Sequence, residues 1–321
     1  MKKYMRFYGL FMGAALFVSI LWIVLVYAQM GVPTESSRWA YESVSLKSAY
    51  AGSIKERKIL IVSGSNSVFG VSAKTIEKEL KIPTLNMAVS AGLQLKYILE
   101  QTKAIARPGD VIVLPLEYSM YDYDGFPAGG LIDYVFARDP DYFKKQSVLE
   151  KGKFVLGVDV IRLAKGIKNK YLIADEYSNA GYQSRTLNEN GDETNNKHEN
   201  SSQLAAILRF IPIHQLAKGI GKDTTSWEQL DNFTTWCNQN KIAILVTYPS
   251  VLYNNAYFSD TAQKTINQIN EFWKTRGIMI LGTYDESVYA PEYIYDTAYH
   301  LNDLGTEKRT RQLIKYLRPH F

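Results

Sequence analysis

Four unbroken apolar runs, at residues 59–62, 111–114, 242–246 and 278–281, constrain this chain more than any other feature. Each is too short for a helix and lacks the polar alternation of a half-exposed strand, so each predicts a strand buried on both faces. Residues 82–88 add a weaker strand. Between and after these runs lie amphipathic stretches of helical period, over residues 71–80, 93–106, 227–240, 261–274 and 304–317. Strands alternating with helices predict an α/β fold, a doubly wound parallel sheet with helices on both faces. At 321 residues there is ample chain for such a core.

The N-terminus imposes a second constraint. No charged residue occurs from Phe7 to Thr34, and residues 7–28 are almost continuously apolar. As a helix, at about 1.5 Å per residue, they suffice for a bilayer core of about 30 Å. Lys2, Lys3 and Arg6 precede them, so the positive-inside rule puts residues 1–6 in the cytoplasm and the chain after Met30 outside. Val26-Tyr27-Ala28 has the small-residue form of a signal-cleavage site, but the apolar run is long for a signal peptide, which favours an uncleaved anchor. A buried core helix is the other reading; Trp22 and Tyr27 near the outer end fit a membrane helix better. Residues 29–56 read as a tether, and residues 57–321 as the extracytoplasmic domain.

Residues 118–223 interrupt the strand–helix rhythm and predict a lid or subdomain inserted after the third strand. Within them, NENGDETNNKHENSS at 188–202 reads as a mobile surface loop. The net charge of +5 is mild and its lysines and arginines are scattered, with no basic stripe for nucleic acid. Cys237 is the single cysteine, which excludes internal disulfides and cysteine-rich zinc sites. It reads as a buried hydrophobe.

The turn after the first strand carries the chemistry. Ser63-Gly64-Ser65-Asn66 follows residues 59–62 directly and opens a helical segment, setting a hydroxyl beside the free N–H groups of a helix start. A serine nucleophile needs a base and an acid to orient that base. Of four histidines, His198 lies in the polar run, His214 at a predicted helix start and His320 next to the C-terminus. His300 stands before the final helix, four residues after Asp296. The bland alternative makes Asp296 a turn cap and His300 a surface residue.

Together these segments resemble the SGNH (GDSL-like) hydrolases, in particular the membrane-anchored branch linked to polysaccharide O-acetylation. The resemblance covers roughly residues 57–117 and 240–317. It implies a flavodoxin-like α/β/α sandwich of SGNH type. Matching Ser63 to Gly70 to the first block makes Ser65 the nucleophile, with Ser67 the rival at a two-residue shift. Asn86 to Leu93 resembles the second block and implies Gly92 and the Ser65 N–H as oxyanion donors, with Asn86 in support. Asp296 and His300 match the last block, with three intervening residues where the family usually has two. The family's Gly-x-Asn-Asp block after the third strand is missing: Pro115-Leu116-Glu117-Tyr118 stands there. Asn66 or Tyr118 is left to supply the other donor, since a carboxylate at 117 would repel an oxyanion unless protonated.

The expected activity is therefore a serine esterase or O-acyltransferase acting on acyl, chiefly acetyl, esters of a cell-surface or exported polysaccharide or other glycan. Tyr118 and Tyr121, with Tyr123 and Phe126, are candidates for stacking on sugar; packing beneath the insertion is the equal alternative. No metal or organic cofactor and no nucleic acid is implied. A membrane-bound acyltransferase is a candidate partner, and a non-catalytic accessory protein that binds glycan or such an acyltransferase is the rival function.

Overall fold

The computed structural model describes residues 2–171, 182–203, 215–221 and 224–321. It is an α/β protein with one five-stranded parallel sheet and a long N-terminal apolar helix. The chain divides into two units, residues 1–41 with 126–181, and residues 42–125 with 182–321.

The larger unit holds the sheet. Strands β1 (Ile59–Ile61), β2 (Thr84–Asn86), β3 (Val111–Leu114), β4 (Ala243–Thr247) and β6 (Ile280–Leu281) run in the order β2-β1-β3-β4-β6. All pairs are parallel, and Ile61 is in register with both Asn86 and Val113. Alternate residues serve opposite faces. Ile59, Ile61, Val111 and Val113 pack with Ala73 and Ile76 of helix α4 (Ala73–Leu80) and with Leu313 and Leu317 of the last helix, α12 (Asp303–Leu317). Leu60 and Ile112, on the other face, are also fully buried. A parallel pair β5 (Val251–Leu252) and β7 (Val288–Tyr289) forms a second small sheet.

Chain order reverses at β1, whose neighbours are β2 on one side and β3 on the other. The crevice at the carboxyl ends of β1 and β3 is thus the switch point where open α/β sheets bind ligands. Both Ser65 and Glu117 leave strands there.

The expected strands and helices differ from those formed mainly at their ends. Burial on both faces, however, holds for β1 and β3 and not for β4 and β6, where Ala243 is exposed and Ile244, Leu245, Ile280 and Leu281 are half-buried. The helical segment expected after the Ser63–Asn66 turn forms in two pieces, the short helix α3 (Ser65–Gly70) and α4, and the β5–β7 pair was not foreseen. The expected tether is largely helix α2 (Arg38–Ser53), and from Glu42 onward it belongs to the larger unit, with Ser43, Lys47 and Ala51 buried. Lys47 donates to the Ala88 carbonyl at 2.5 Å, and burial lowers its pKa to about 7 against the pull of Asp192 and Glu193.

The insertion, expected as a lid or subdomain, is divided between the two units. Residues 126–171 fold as helices α6 (Gly129–Arg138), α7 (Pro140–Lys145), α8 (Val148–Gly157) and α9 (Val160–Tyr171) in the smaller unit, with α1 (Lys2–Ala28). Phe136, Phe143 and Phe154 form its aromatic centre. Asp133 accepts hydrogen bonds from Thr34 and Ser36 and pairs with Arg162 at 3.1 Å. Helix α1 is long and apolar enough to cross a membrane, and little of it is buried.

Residues 182–203 return to the larger unit, and the run at 188–202, expected as a mobile surface loop, lies on the surface only in part. Asn190, Asp192, Glu193 and Asn196 are buried. Their short polar side chains accept from or donate to backbone groups at element ends, which is what such residues do when they are ordered. Asp192 accepts the N–H groups of Ala73 and Lys74, at 2.8 and 3.0 Å, and so caps α4.

Candidate active site

Ser65 opens α3 immediately past β1, and His300 lies just before α12. Ser65 Oγ is 2.8 Å from His300 Nε2. His300 Nδ1 is 2.6 Å from Asp296 Oδ1. The long Asp296–His300 spacing is absorbed by a tight turn: Tyr295 N–H donates to the His300 carbonyl at 2.8 Å, and Ile294 bridges antiparallel to Leu301. With Asp296 accepting at Nδ1–H, Nε2 is left as the acceptor facing the serine hydroxyl.

Burial separates the two serines. Ser67 is fully buried and its hydroxyl is bonded to Ser63 Oγ at 2.6 Å, so it faces the core beneath the turn. Ser65 alone of the two meets the histidine.

Four further groups shape the site. Tyr182 donates to Asp296 Oδ2 at 2.5 Å and lies 3.2 Å from His300 Nδ1. Burial, and then Asp296 itself, push its phenol pKa upward, so it remains a donor. Phe69 stacks on the imidazole with centroids 4.2 Å apart and planes 17° apart, which fixes the ring plane. Asn196 Nδ2 donates to the Phe69 carbonyl at 3.1 Å and the Leu301 carbonyl at 2.9 Å. It therefore ties the end of α3 to the residue after His300.

Glu117 is the fourth. Its carboxylate accepts the Gly64 N–H at 2.9 Å and the Asn66 N–H at 3.1 Å. It takes the N–H groups on either side of Ser65 and leaves that of Ser65 unclaimed among the described residues. Burial pushes the Glu117 carboxyl above its ordinary pKa, while the bonds from Asn66 and Gly64 pull it down. Gly64 is required by space: a Cβ there would stand 2.4 Å from Glu117 Oε1 and 2.6 Å from Ala91 Cβ.

Several sequence-predicted residues have other work. Gly92 lies beside this turn through Ala91, but its N–H donates to Ser90 Oγ at 3.1 Å and is not free. Asn66 is buried with its amide on the Pro115 carbonyl, so it is no oxyanion donor. Asn86 is fully buried; its amide donates to the Ser67 carbonyl at 2.7 Å and holds α3 from below. Tyr118 and Tyr121 are buried, the former beside Tyr284 and Tyr299 and the latter accepting from Trp273 Nε1, so neither offers a face to a sugar. Phe126 is exposed but belongs to the smaller unit.

His198 is an exposed partner of Asp303, and His214 lies outside the described residues. Cys237 is buried and its thiol is pushed up to about 12, which leaves it inert at neutral pH. Among the described residues, no cluster of three or more His, Cys, Asp or Glu side chains is placed to hold a metal ion.

Phe69 and Glu117 lie in segments already singled out, but their contacts with His300 and with the N–H groups flanking Ser65 were not foreseen. Tyr182 and Asn196 carry no local signal, because their roles depend on a return of the chain from the insertion. No family model matches this chain, and no protein of curated function matches it.

Proposed function

We propose that this protein is a membrane-anchored serine esterase or O-acyltransferase of SGNH type, acting on acyl, in particular acetyl, esters of an exported or cell-surface polysaccharide. The observation that carries the reading is the continuous chain from Ser65 Oγ through His300 to Asp296, with distances of 2.8 and 2.6 Å. Helix α1, with Lys2, Lys3 and Arg6 before it, supports an anchor with the domain outside.

Ser65 Oγ attacks the acyl carbonyl carbon as its proton passes to His300 Nε2. Asp296 stabilises the imidazolium, and the Ser65 N–H donates to the tetrahedral oxyanion. Collapse expels the sugar oxygen, which takes the proton from Nε2, and leaves an acyl-serine. Water then releases the acyl group as acid, giving an esterase. A second sugar hydroxyl carries it on, giving a transferase.

A fluorophosphonate probe tests this. The wild type should label, Ser65→Ala should not, and His300→Ala should label at least a hundred-fold more slowly. Absence of wild-type labelling beside a reactive control esterase overturns the catalytic reading.

One observation favours the second reading, a non-catalytic accessory protein that binds glycan or a membrane-bound acyltransferase. Gly92 N–H is engaged by Ser90, and a carboxylate occupies the turn where a second donor would help. A missing oxyanion donor costs roughly a hundred- to a thousand-fold in rate. Glycan binding by Ser65→Ala, with no labelling of the wild type, would establish this reading instead.

A further inference from the structure

We propose that helices α8 and α9 enter the outer leaflet of the membrane beside α1, so that the smaller unit is held by lipid as well as by its span. The inference rests on the reading of α1 as a membrane helix and concerns the smaller unit alone. Val148, Leu149, Leu156, Val160 and Ile161 are each 69–88% exposed. A folded domain rarely leaves so many aliphatic side chains in water without something to cover them.

Depth along α1 says what covers them. Lys151, Gly152, Val155 and Leu156 line a groove with Val18, Trp22 and Tyr27 of α1. Trp22 Nε1 donates to the Val155 carbonyl at 3.0 Å, which fixes the two helices at that level. If Phe7 is the first residue of the hydrocarbon core, Val18 lies about 16 Å further on and Tyr27 about 30 Å. The segment of α1 that meets α8 therefore occupies the distal half of a core about 30 Å thick. Residues packed beside it occupy the same depth, where lipid acyl chains are the neighbours.

The charge of this region agrees. Residues 148–171 carry six basic side chains against two acidic ones. Arg162 is buried with Asp133 and Lys153 pairs with Glu150; the other four are Lys151, Lys165, Lys168 and Lys170. Lys170, near the end of α9, donates to the Ala28 carbonyl at the top of α1. The far end of α9 thus returns to the level of the headgroups, while Val160 and Ile161 lie at its start, next to the exposed end of α8. Basic helices that present aliphatic residues at their junction match an interface of anionic headgroups over acyl chains.

The test uses the full chain carrying Cys237→Ala, reconstituted in phosphatidylethanolamine–phosphatidylglycerol vesicles. An environment-sensitive fluorophore is attached at Leu156→Cys or Ile161→Cys. Phe17→Cys marks the span, and Lys274→Cys, on the larger unit, marks water. Nitroxide on the lipid acyl chains should quench positions 156 and 161 at least five-fold more than position 274, with blue-shifted emission. Quenching at 17 but not at 156 or 161 overturns the proposal and leaves the anchor intact. No quenching at 17 overturns the anchor reading and this inference with it. All four sites are exposed, so the labels disturb no packing.

Discussion

Two stretches of the same insertion have exchanged the usual places of polar and apolar residues. In residues 148–161 Val148, Leu156 and Val160 stand exposed, whereas in residues 188–196 Asn190, Asp192 and Asn196 are about 3% exposed. The polar stretch can be buried because its buried side chains find backbone partners. Asn190 donates to the Thr84 carbonyl at 2.9 Å, Asp192 caps α4, and Asn196 bridges the Phe69 and Leu301 carbonyls. The apolar stretch has no such partners to find, and its exposure calls for a neighbour outside the chain. A polar residue can thus be a core residue when the groups around it are orphaned backbone donors and acceptors.

The contrast is open to direct attack. The largest effect is expected for Asp192→Ala, which leaves the N–H groups of Ala73 and Lys74 unpaired near the core. We expect a loss of about 3 kcal/mol, read as a fall in thermal midpoint. An unchanged midpoint would mean that the polar run is an ornament on the surface.

Asn196→Ala should cost about 2 kcal/mol and also slow fluorophosphonate labelling of Ser65 by more than ten-fold, since it releases α3 from the turn after His300. Lost stability with unaltered labelling would show that the clasp does not position the site.

Lys47, between Ala88 and the carboxylates of the polar run, gives a pH signature. Its folded pKa of about 7 lies below its ordinary 10.5. Between those values the unfolded chain binds a proton that the folded chain does not, so stability should rise with pH across that window. The slope should flatten in Lys47→Met.

Tyr182→Phe removes one donor from Asp296 and should slow labelling by roughly three- to ten-fold, about 1 kcal/mol, with little change in thermal midpoint. The smallest effect belongs to the apolar stretch: Leu156→Ser in detergent should change stability by no more than about 0.5 kcal/mol. A loss of 2 kcal/mol would mean that Leu156 is packed after all.

Much of the sheet was legible because burial on both faces demands unbroken apolar runs, and residues 59–62 and 111–114 have no other use. The Ser65 turn and the Asp296–His300 pair were legible as local patterns with a chemical purpose. The Ser65–Ser67 choice was open in the sequence, since one helical turn presents either hydroxyl. In the fold Ser67 packs against Ser63, and of the two only Ser65 reaches His300. The engagement of the Gly92 N–H was not legible for a similar reason: a neighbouring serine hydroxyl accepts it, and no spacing reveals which way a hydroxyl turns. The burial within 188–202 was not legible because low hydrophobicity describes an unfolded segment and a backbone clasp equally well.

By itself, then, the sequence determined the parallel α/β core, the apolar N-terminal helix and the residue types of the Ser65–His300–Asp296 chain. Those follow from local chemistry: period, hydrophobic length and turn composition act over a few residues. Only the tertiary structure brought Ser65 to His300 across 235 positions of chain, set Glu117 on the N–H groups flanking the serine, and turned Asn196 and Tyr182 inward to hold the pair. Such contacts depend on which backbone groups the completed fold leaves unpaired, and that is a property of the whole packing and not of any segment.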